Sequence, residues 1–322
     1  ILAALTKNRI IAMFVGAFIT MVIQSSSATT VMLVSFVQAG LMTFVQSMGV
    51  ILGADIGTTV TAQLIAFKLT DYALLMIAIG FSLHMFGKSN MTKNIGDVIL
   101  GFGILFFGMK LMSDAMKPLR TYTVFIDIMQ GLEHPFLGIL IGALFTALVQ
   151  SSSATTGVVI VLAQQGLITL DAGIPLVFGA NIGTCITAGL ASIGTSREDK
   201  RVALAHVIFK LAGVLLFIFW IPSFAEFIRM IAERFDSGTA RQIANAHTIF
   251  NVALALIFLH FTEHFSRLVL KILPFEEKPK DIILTTKYLD EESISTPAIA
   301  LDLARAEVAR MAKLVWRMLA SI

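Results

Sequence analysis

From residue 10 onward the chain alternates long apolar runs with short polar islands. "IIAMFVGAFITMVI" (10–23) leads into "QSSSATT" (24–30), a second apolar run follows, and the rhythm continues to about Phe261. The runs are continuous or helix-periodic and lack two-residue alternation, so they predict membrane helices and not a porin-like barrel. Residues 10–23 give about 21 Å of helix and residues 28–39 about 18 Å more. The sum exceeds a hydrocarbon core of ~30 Å. A fold at Gln24–Ser27 into a re-entrant hairpin fits both arms. Gly40 then suits a helix end, and Thr43 with Gln46 makes a capping box that starts the next helix. "GADIGTT" (53–59) lies about half a bilayer into that helix and predicts a break in it.

The same polar islands recur. Shifted by 126 residues, positions 24–67 lie over 150–193 without a gap, and 19 of the 44 are identical. "QSSSATT" returns at 150–156, and "GADIGTT" returns as "GANIGTC" (179–185). Upstream, Gly16-Ala17 lies over Gly142-Ala143 and Thr20 over Thr146. Gly166 and Thr169 repeat Gly40 and Thr43, while Asp171 and Pro175 are expected to alter the turn that follows. A single Ser/Thr cluster in a membrane helix is ordinary packing glue. Two matched pairs of islands point instead to the binding site of a secondary transporter built from internal repeats.

The tail differs. From Pro274 charges and prolines return, and after Ser295-Thr296-Pro297 the residues Leu301, Ala304, Val308, Met311, Val315 and Leu319 fall at helical steps. This predicts a linker and then a soluble helix; an amphipathic helix lying on the bilayer is the alternative.

Composition agrees with the pattern. Of 322 residues, 57% are hydrophobic and 14% charged, with a mean hydropathy of +0.85; soluble domains are about 25% charged. The net charge of +3 is scattered and offers no footprint for nucleic acid. Cys185 is the single cysteine, so no internal disulfide can form. No signal peptide is visible. The opening "ILAALTKNR" lacks an initiator Met, and "GFGILFFGMKLMSDAMKPLR" (101–120) precedes the second repeat without a counterpart before the first. A similar helix is therefore expected upstream of residue 1.

The islands carry the chemistry. Non-helical backbone at membrane depth is tolerated only inside protein or around a wet cavity. Helix N-termini there present free N–H groups and a positive dipole end, which bind phosphate-like anions without arginine. Carbonyl, hydroxyl, amide and carboxylate oxygens suit a hard cation such as sodium. An intramembrane serine hydrolase is disfavoured, because no G-x-S-x-G context surrounds the serines. The chain is thus expected not to be an enzyme.

Paired "QSSSATT" motifs, each followed by "GA[DN]IGT", resemble the type II sodium/phosphate cotransporter family in its bacterial form, over about residues 1–270. The resemblance implies an all-α polytopic membrane protein: an inverted-repeat transporter with two re-entrant hairpins and broken transmembrane helices. It places a transport domain at 1–270 (repeat one about 1–97, repeat two about 98–270) and a linker at 271–296. Residues 297–322 would begin a cytoplasmic helical PhoU-like region. It implies sodium-coupled import of inorganic phosphate through the inner membrane, with sodium as coupling ion and no cofactor. A homodimer is expected by analogy.

Carried onto this chain, phosphate would meet Ser25, Ser26, Ser27, Ser151, Ser152 and Ser153, with backbone N–H groups near Ala28 and Ala154. Sodium would use Gln24, Asp55, Thr58, Thr59, Gln150, Asn181 and Thr184. Other oxyanions, sulfate or a dicarboxylate, remain open as substrates, as does a sensor signalling through the helical tail. Two further stretches match each other, "AHVIFKLAGVLLFIF" (205–219) and "AHTIFNVALALIFLH" (246–260). Family members often carry Asn where Asn251 stands; Lys210 departs from that. An intramembrane Lys is costly and implies function, either as a partner for Asp55 or as a fixed charge replacing a bound cation. His206 and His247 read as hydrogen-bonded packing residues. Gly101, Gly103 and Gly108 read as close helix packing, and "TSREDKR" (195–201) as a solvated turn.

Overall fold

The computed structural model describes residue 6, residues 8–67, 69–274 and 288, and residues 297–320. The chain divides into two units, one ending at Pro274 and one starting at Phe275.

The first unit is built from a triplet of helices that occurs twice. In the first copy, α1 (Arg9–Ile23), α2 (Ser26–Gln38) and α3 (Phe44–Ile65) follow one another. α4 (Ala73–Phe86), α5 (Asn90–Met116) and α6 (Thr123–Gly131) lead to the second copy. There α7 (Pro135–Val149), α8 (Ser152–Gln164), α9 (Leu170–Gly183) and the short α10 (Cys185–Ala191) sit 126 residues on, end for end, with α9 and α10 together matching α3. α11 (Arg197–Phe217), α12 (Ile221–Arg234) and α13 (Thr239–Ile272) complete the unit.

The hairpin turns fold as the sequence predicts, and identically. Gln24 and Gln150 end their helices in the left-handed region, at φ 59° and 57°. Each N–H returns to a threonine carbonyl, Thr20 or Thr146. Ser25 and Ser151 are extended and cap the next helix, their hydroxyls accepting from Ala28 and Ala154 N–H at 3.2 Å. The arms are tied across the turn by buried hydroxyl pairs, Thr20–Thr29 at 2.8 Å and Thr146–Thr155 at 2.7 Å. Gly40 and Gly166 close α2 and α8 at φ 69° and 70°, and Thr43 forms the predicted capping box with Gln46. Thr169 also caps α9, its hydroxyl accepting from Ala172 N–H, but with Ala172 where repeat one has Gln46 the reciprocal half of the box is missing and Thr169 Oγ1 donates to Glu133 instead.

The second island behaves differently from the expectation. α3 runs unbroken through 53–59, and in repeat two only Thr184 separates α9 from α10. The glycines explain why. A Cβ on Gly53 would lie 1.9 Å from the Met13 carbonyl oxygen, and one on Gly57 2.5 Å from that of Ala17. Gly179 and Gly183 stand in the same relation to Ile139 and Ala143. G-x-x-x-G here brings α3 against α1, and α9 against α7, backbone to backbone. These glycines serve close helix packing; the first island stays helical throughout, whereas the second is interrupted at Thr184 despite the same contacts.

Five helical stretches of the described residues are long and apolar enough to cross a membrane. They are Phe44–Ile65, Asn90–Thr121, Leu170–Ala191, Asp199–Arg234 and Thr239–Ile272. α6 and α7 form a sixth candidate bent by 104°. α1, α2 and α8 are shorter apolar helices, about 20–22 Å each and too short to cross alone. Phe14, Phe18, Leu148 and Phe219 lie exposed on the outside, as lipid-facing side chains do. Of the helix-packing glycines expected in α5, Gly103 meets Ile77 of α4, whereas Gly101 and Gly108 face open space. "TSREDKR" is no solvated turn. Ser196 and Asp199 form a capping box that starts α11, and Arg201 is buried with its Nε donating to the Leu273 carbonyl at 2.8 Å.

In the second unit α14 (Pro297–Ala320) starts at the predicted proline. Leu301, Val308, Met311 and Val315 of its apolar stripe are exposed. The expected start signal at Ser295-Thr296 and the linker from 275 lie outside the described residues, apart from Tyr288.

Candidate functional site

Two sets of the predicted residues are brought together, in different places. The first is buried. Asp55 comes from α3 and Asn181 from the matched position of α9. The Lys210 Nζ of α11 lies 2.7 Å from Asp55 Oδ1 and donates to Asn181 Oδ1 at 2.8 Å. All three side chains are nearly inaccessible. A charge in such a place costs several kcal/mol of lost solvation unless it is paired, and removing one partner of a buried pair typically costs about 3–5 kcal/mol. Asp55 and Lys210 therefore require each other, and Asn181 supplies a neutral oxygen for a second ammonium proton.

The surroundings leave little space. A small cavity beside the pair, with room for about one water, is lined by Asp55, Lys210 and Asn251 and walled by Phe209, Phe250 and Phe258. His206 lies one helical turn before Lys210, with Nε2 3.7 Å from Asp55 Oδ1. Among the described residues, neither of its ring nitrogens has a hydrogen-bond partner, nor has Nδ1 of His247. The expectation of hydrogen-bonded packing histidines is thus corrected for His206, which is buried against a carboxylate without bonding to it. Asn251, the counterpart of Lys210 in the second A-H-x-I-F stretch, donates to the His247 carbonyl of its own helix at 2.9 Å.

The second set surrounds the hairpin turns. In an α-helix the first N–H groups have no intrahelical acceptor. Those of Ala28 and Ala154, expected to meet an anion, are bonded to the Ser25 and Ser151 hydroxyls. The donors left in each first turn are the N–H groups of Ser26 and Ser27, and of Ser152 and Ser153, with the hydroxyls of the same serines. Ser26 and Ser152 are buried, whereas Ser27 and Ser153 are partly accessible. Ser153 and Ala154 line a cavity of about 460 Å3 between α3, α5 and α8, which Thr61 and Gly108 also line. Thr61 in turn donates to the Gln24 side chain. One threonine of α3 thereby joins the turn of the first hairpin to the cavity at the second.

The remaining predicted ligands are dispersed. Thr58, Thr59 and Thr184 donate to carbonyls of their own helices, those of Ala54, Ile56 and Asn181, leaving lone pairs free to accept a cation. Gln150 is exposed. Thr61 and its counterpart Thr187 escaped the sequence reading although both are identical in the aligned repeats. Thr187 is partly buried and its hydroxyl has no partner among the described residues. Their signal was repeat identity outside the two polar islands.

Duplicated hairpins beside spanning helices, with polar groups gathered at the turns, define a multi-pass helical membrane protein of the transporter type. The chain belongs to the Na+/Pi-cotransporter family, whose model matches residues 1–114 and 117–260. That match stops short of α14, so the PhoU-like tail rests on the sequence reading. Among relatives, the chain is 32% identical over 228 residues to the uncharacterized Bacillus subtilis protein YqeW, covering 70% of this chain and 74% of that one. To the Escherichia coli "Putative inorganic phosphate export protein YjbB" it is 28% identical over 315 residues, 97% of this chain but 56% of that one. To the human "Sodium-dependent phosphate transport protein 2B" it is 34% identical over 137 residues, covering 39% of this chain and 20% of that one. The chain thus spans little more than half the length of YjbB. No solved structure matches.

Proposed function

We propose that the chain is the membrane part of a sodium-coupled inorganic phosphate transporter working by alternating access. The observation that carries this reading is the pair of identical hairpin turns. Each ends one helix and starts another within two residues, exposing serine hydroxyls and free N–H groups at a positive helix end. Phosphate, with four oxygens and no need of a permanent counter-charge, fits such donors. Ser26, Ser27, Ser152 and Ser153 are assigned to it, and Ser25 and Ser151 hold the turns. Sodium is assigned to oxygens of Gln24, Gln150, Thr58, Thr59 and Thr184, since those of Asp55 and Asn181 already face Lys210. Placement in the inner membrane, a cytoplasmic tail and a homodimer belong to the same proposal.

Import is the direction that sodium symport implies. YjbB, named for phosphate export, supports an outward alternative. Purified protein in liposomes, loaded with labelled phosphate on one side at a time, separates the two. Sodium-driven accumulation supports symport, and equal flux along either phosphate gradient without sodium supports a facilitated exporter. Sulfate or dicarboxylate moved in preference to phosphate would defeat the substrate assignment, and binding without flux would favour the sensor.

A further inference from the structure

The two repeats converge on one atom. Positions 55 and 181 are equivalents under the 126-residue shift, and both direct an oxygen at Lys210 Nζ, 2.7 and 2.8 Å away. Asp and Asn oxygens contributed by two symmetry-matched helices are what a hard cation would be offered. The group that fills the place is covalently part of the chain. Lys210 comes from α11, outside the duplicated triplet, and its counterpart Asn251 is neutral. The A-H-x-I-F pattern therefore does not demand a cation here. The adjoining cavity holds about one water and is walled by Phe209, Phe250 and Phe258, leaving no room for a hydrated ion beside the ammonium.

We propose that Lys210 is a resident cation, occupying between Asp55 and Asn181 a place that a mobile sodium ion would otherwise take. The inference rests on the sodium-coupled reading above and assigns one of its sites. A tethered ammonium neutralises Asp55 as a bound ion would, but it cannot be exchanged with the solution on either side. A sodium gradient does no work through a site whose cation never leaves. The chain consequently couples phosphate movement to one fewer sodium ion than its Lys210→Asn variant, and its flux follows the phosphate gradient more closely.

Two variants of the purified full chain test this, read by sodium-dependent melting in detergent (sodium against choline) and by the sodium dependence of labelled phosphate flux in liposomes. Lys210→Asn frees Asp55 and should create a sodium site. Its melting temperature should rise more with sodium than the wild type's does, and the Hill coefficient of flux for sodium should increase by about one. Sodium responses equal to the wild type's in a folded Lys210→Asn protein would overturn the proposal. If that variant does not fold, Asp55→Asn decides. With the carboxylate serving the lysine, the half-saturating sodium concentration should move less than twofold, whatever happens to the rate. A tenfold rise would mean that Asp55 holds a mobile ion and Lys210 does not replace one. Should the wild type move no phosphate at all, the functional reading fails by itself, and melting still reports whether removing the lysine creates a sodium site.

Discussion

The hairpin turns rest on single protons. Thr29 Oγ1 donates to the Ser25 carbonyl at 3.1 Å, so its contact with Thr20 places the Thr20 proton between the two hydroxyls. Thr155 and Thr146 stand in the same relation. Thr29→Val removes a donor to the turn and strands the Thr20 hydroxyl in a buried site. It should cost about 1–3 kcal/mol, the price of an unsatisfied buried group. Thr20→Val leaves Thr29 bonded to Ser25 and should cost about 0.5–1.5 kcal/mol. The double variant should cost less than the sum. Unfolding in detergent, followed by circular dichroism, gives the ordering, and equal, additive losses would contradict this proton assignment. A second prediction concerns the serines: Ser26→Ala and Ser152→Ala should each raise the half-saturating phosphate concentration several-fold in liposome uptake, a loss of about 1 kcal/mol per hydrogen bond. Unaltered uptake in both removes these hydroxyls from the anion site.

At the scale of the element, glycines separate into those that hold helices together and those that do not. Gly53→Ala sets a Cβ 1.9 Å from the Met13 backbone oxygen, which cannot move aside as a flexible side chain would. α1 and α3 must part, at about 1–3 kcal/mol or more, and folded yield should fall sharply. Gly108→Ala meets nothing within 4 Å among the described residues and should stabilise α5 by about 0.5–1 kcal/mol. Melting temperatures of the two variants, moving in opposite directions, check the pair. The hairpins and caps were readable because their signals are local: Gln-Ser-Ser for the turn, Gly40 for the left-handed end, Thr43 and Gln46 for the box. The second island was misread because GADIG looks the same whether its glycines unwind a helix or let a neighbour approach. Only the partner decides, and α1 lies some 40 residues earlier in sequence. Repeat two shows the same contact built with exchanged sizes: Ala12 faces Gly49 in one copy, and Gly138 faces Pro175 in the other.

For the molecule as a whole, the 126-residue shift fixed the pairing of elements, yet the partner of Lys210 was legible only in part. Asp55 is the obvious counter-charge for a lysine in an apolar helix. That Asn181 shares the ammonium follows from how α3, α9 and α11 meet, which no periodicity records. The same assembly brings Thr61, Ser153 and Gly108 to one cavity from three separate helices, and the proposed alternating access makes a definite demand on it. Cys185 stands where repeat one has Thr59, so Cys185→Thr restores the internal match and supplies a cysteine-free chain that should fold normally. In that background, Gly108→Cys places a thiol on the cavity wall without replacing a residue assigned to phosphate. A membrane-impermeant maleimide should label it from one face of sealed, uniformly oriented vesicles, and phosphate with sodium should change the rate by several-fold as the cavity closes or reorients. Labelling at equal rates from both faces would describe an open pore, and labelling indifferent to phosphate would detach this cavity from the transport path.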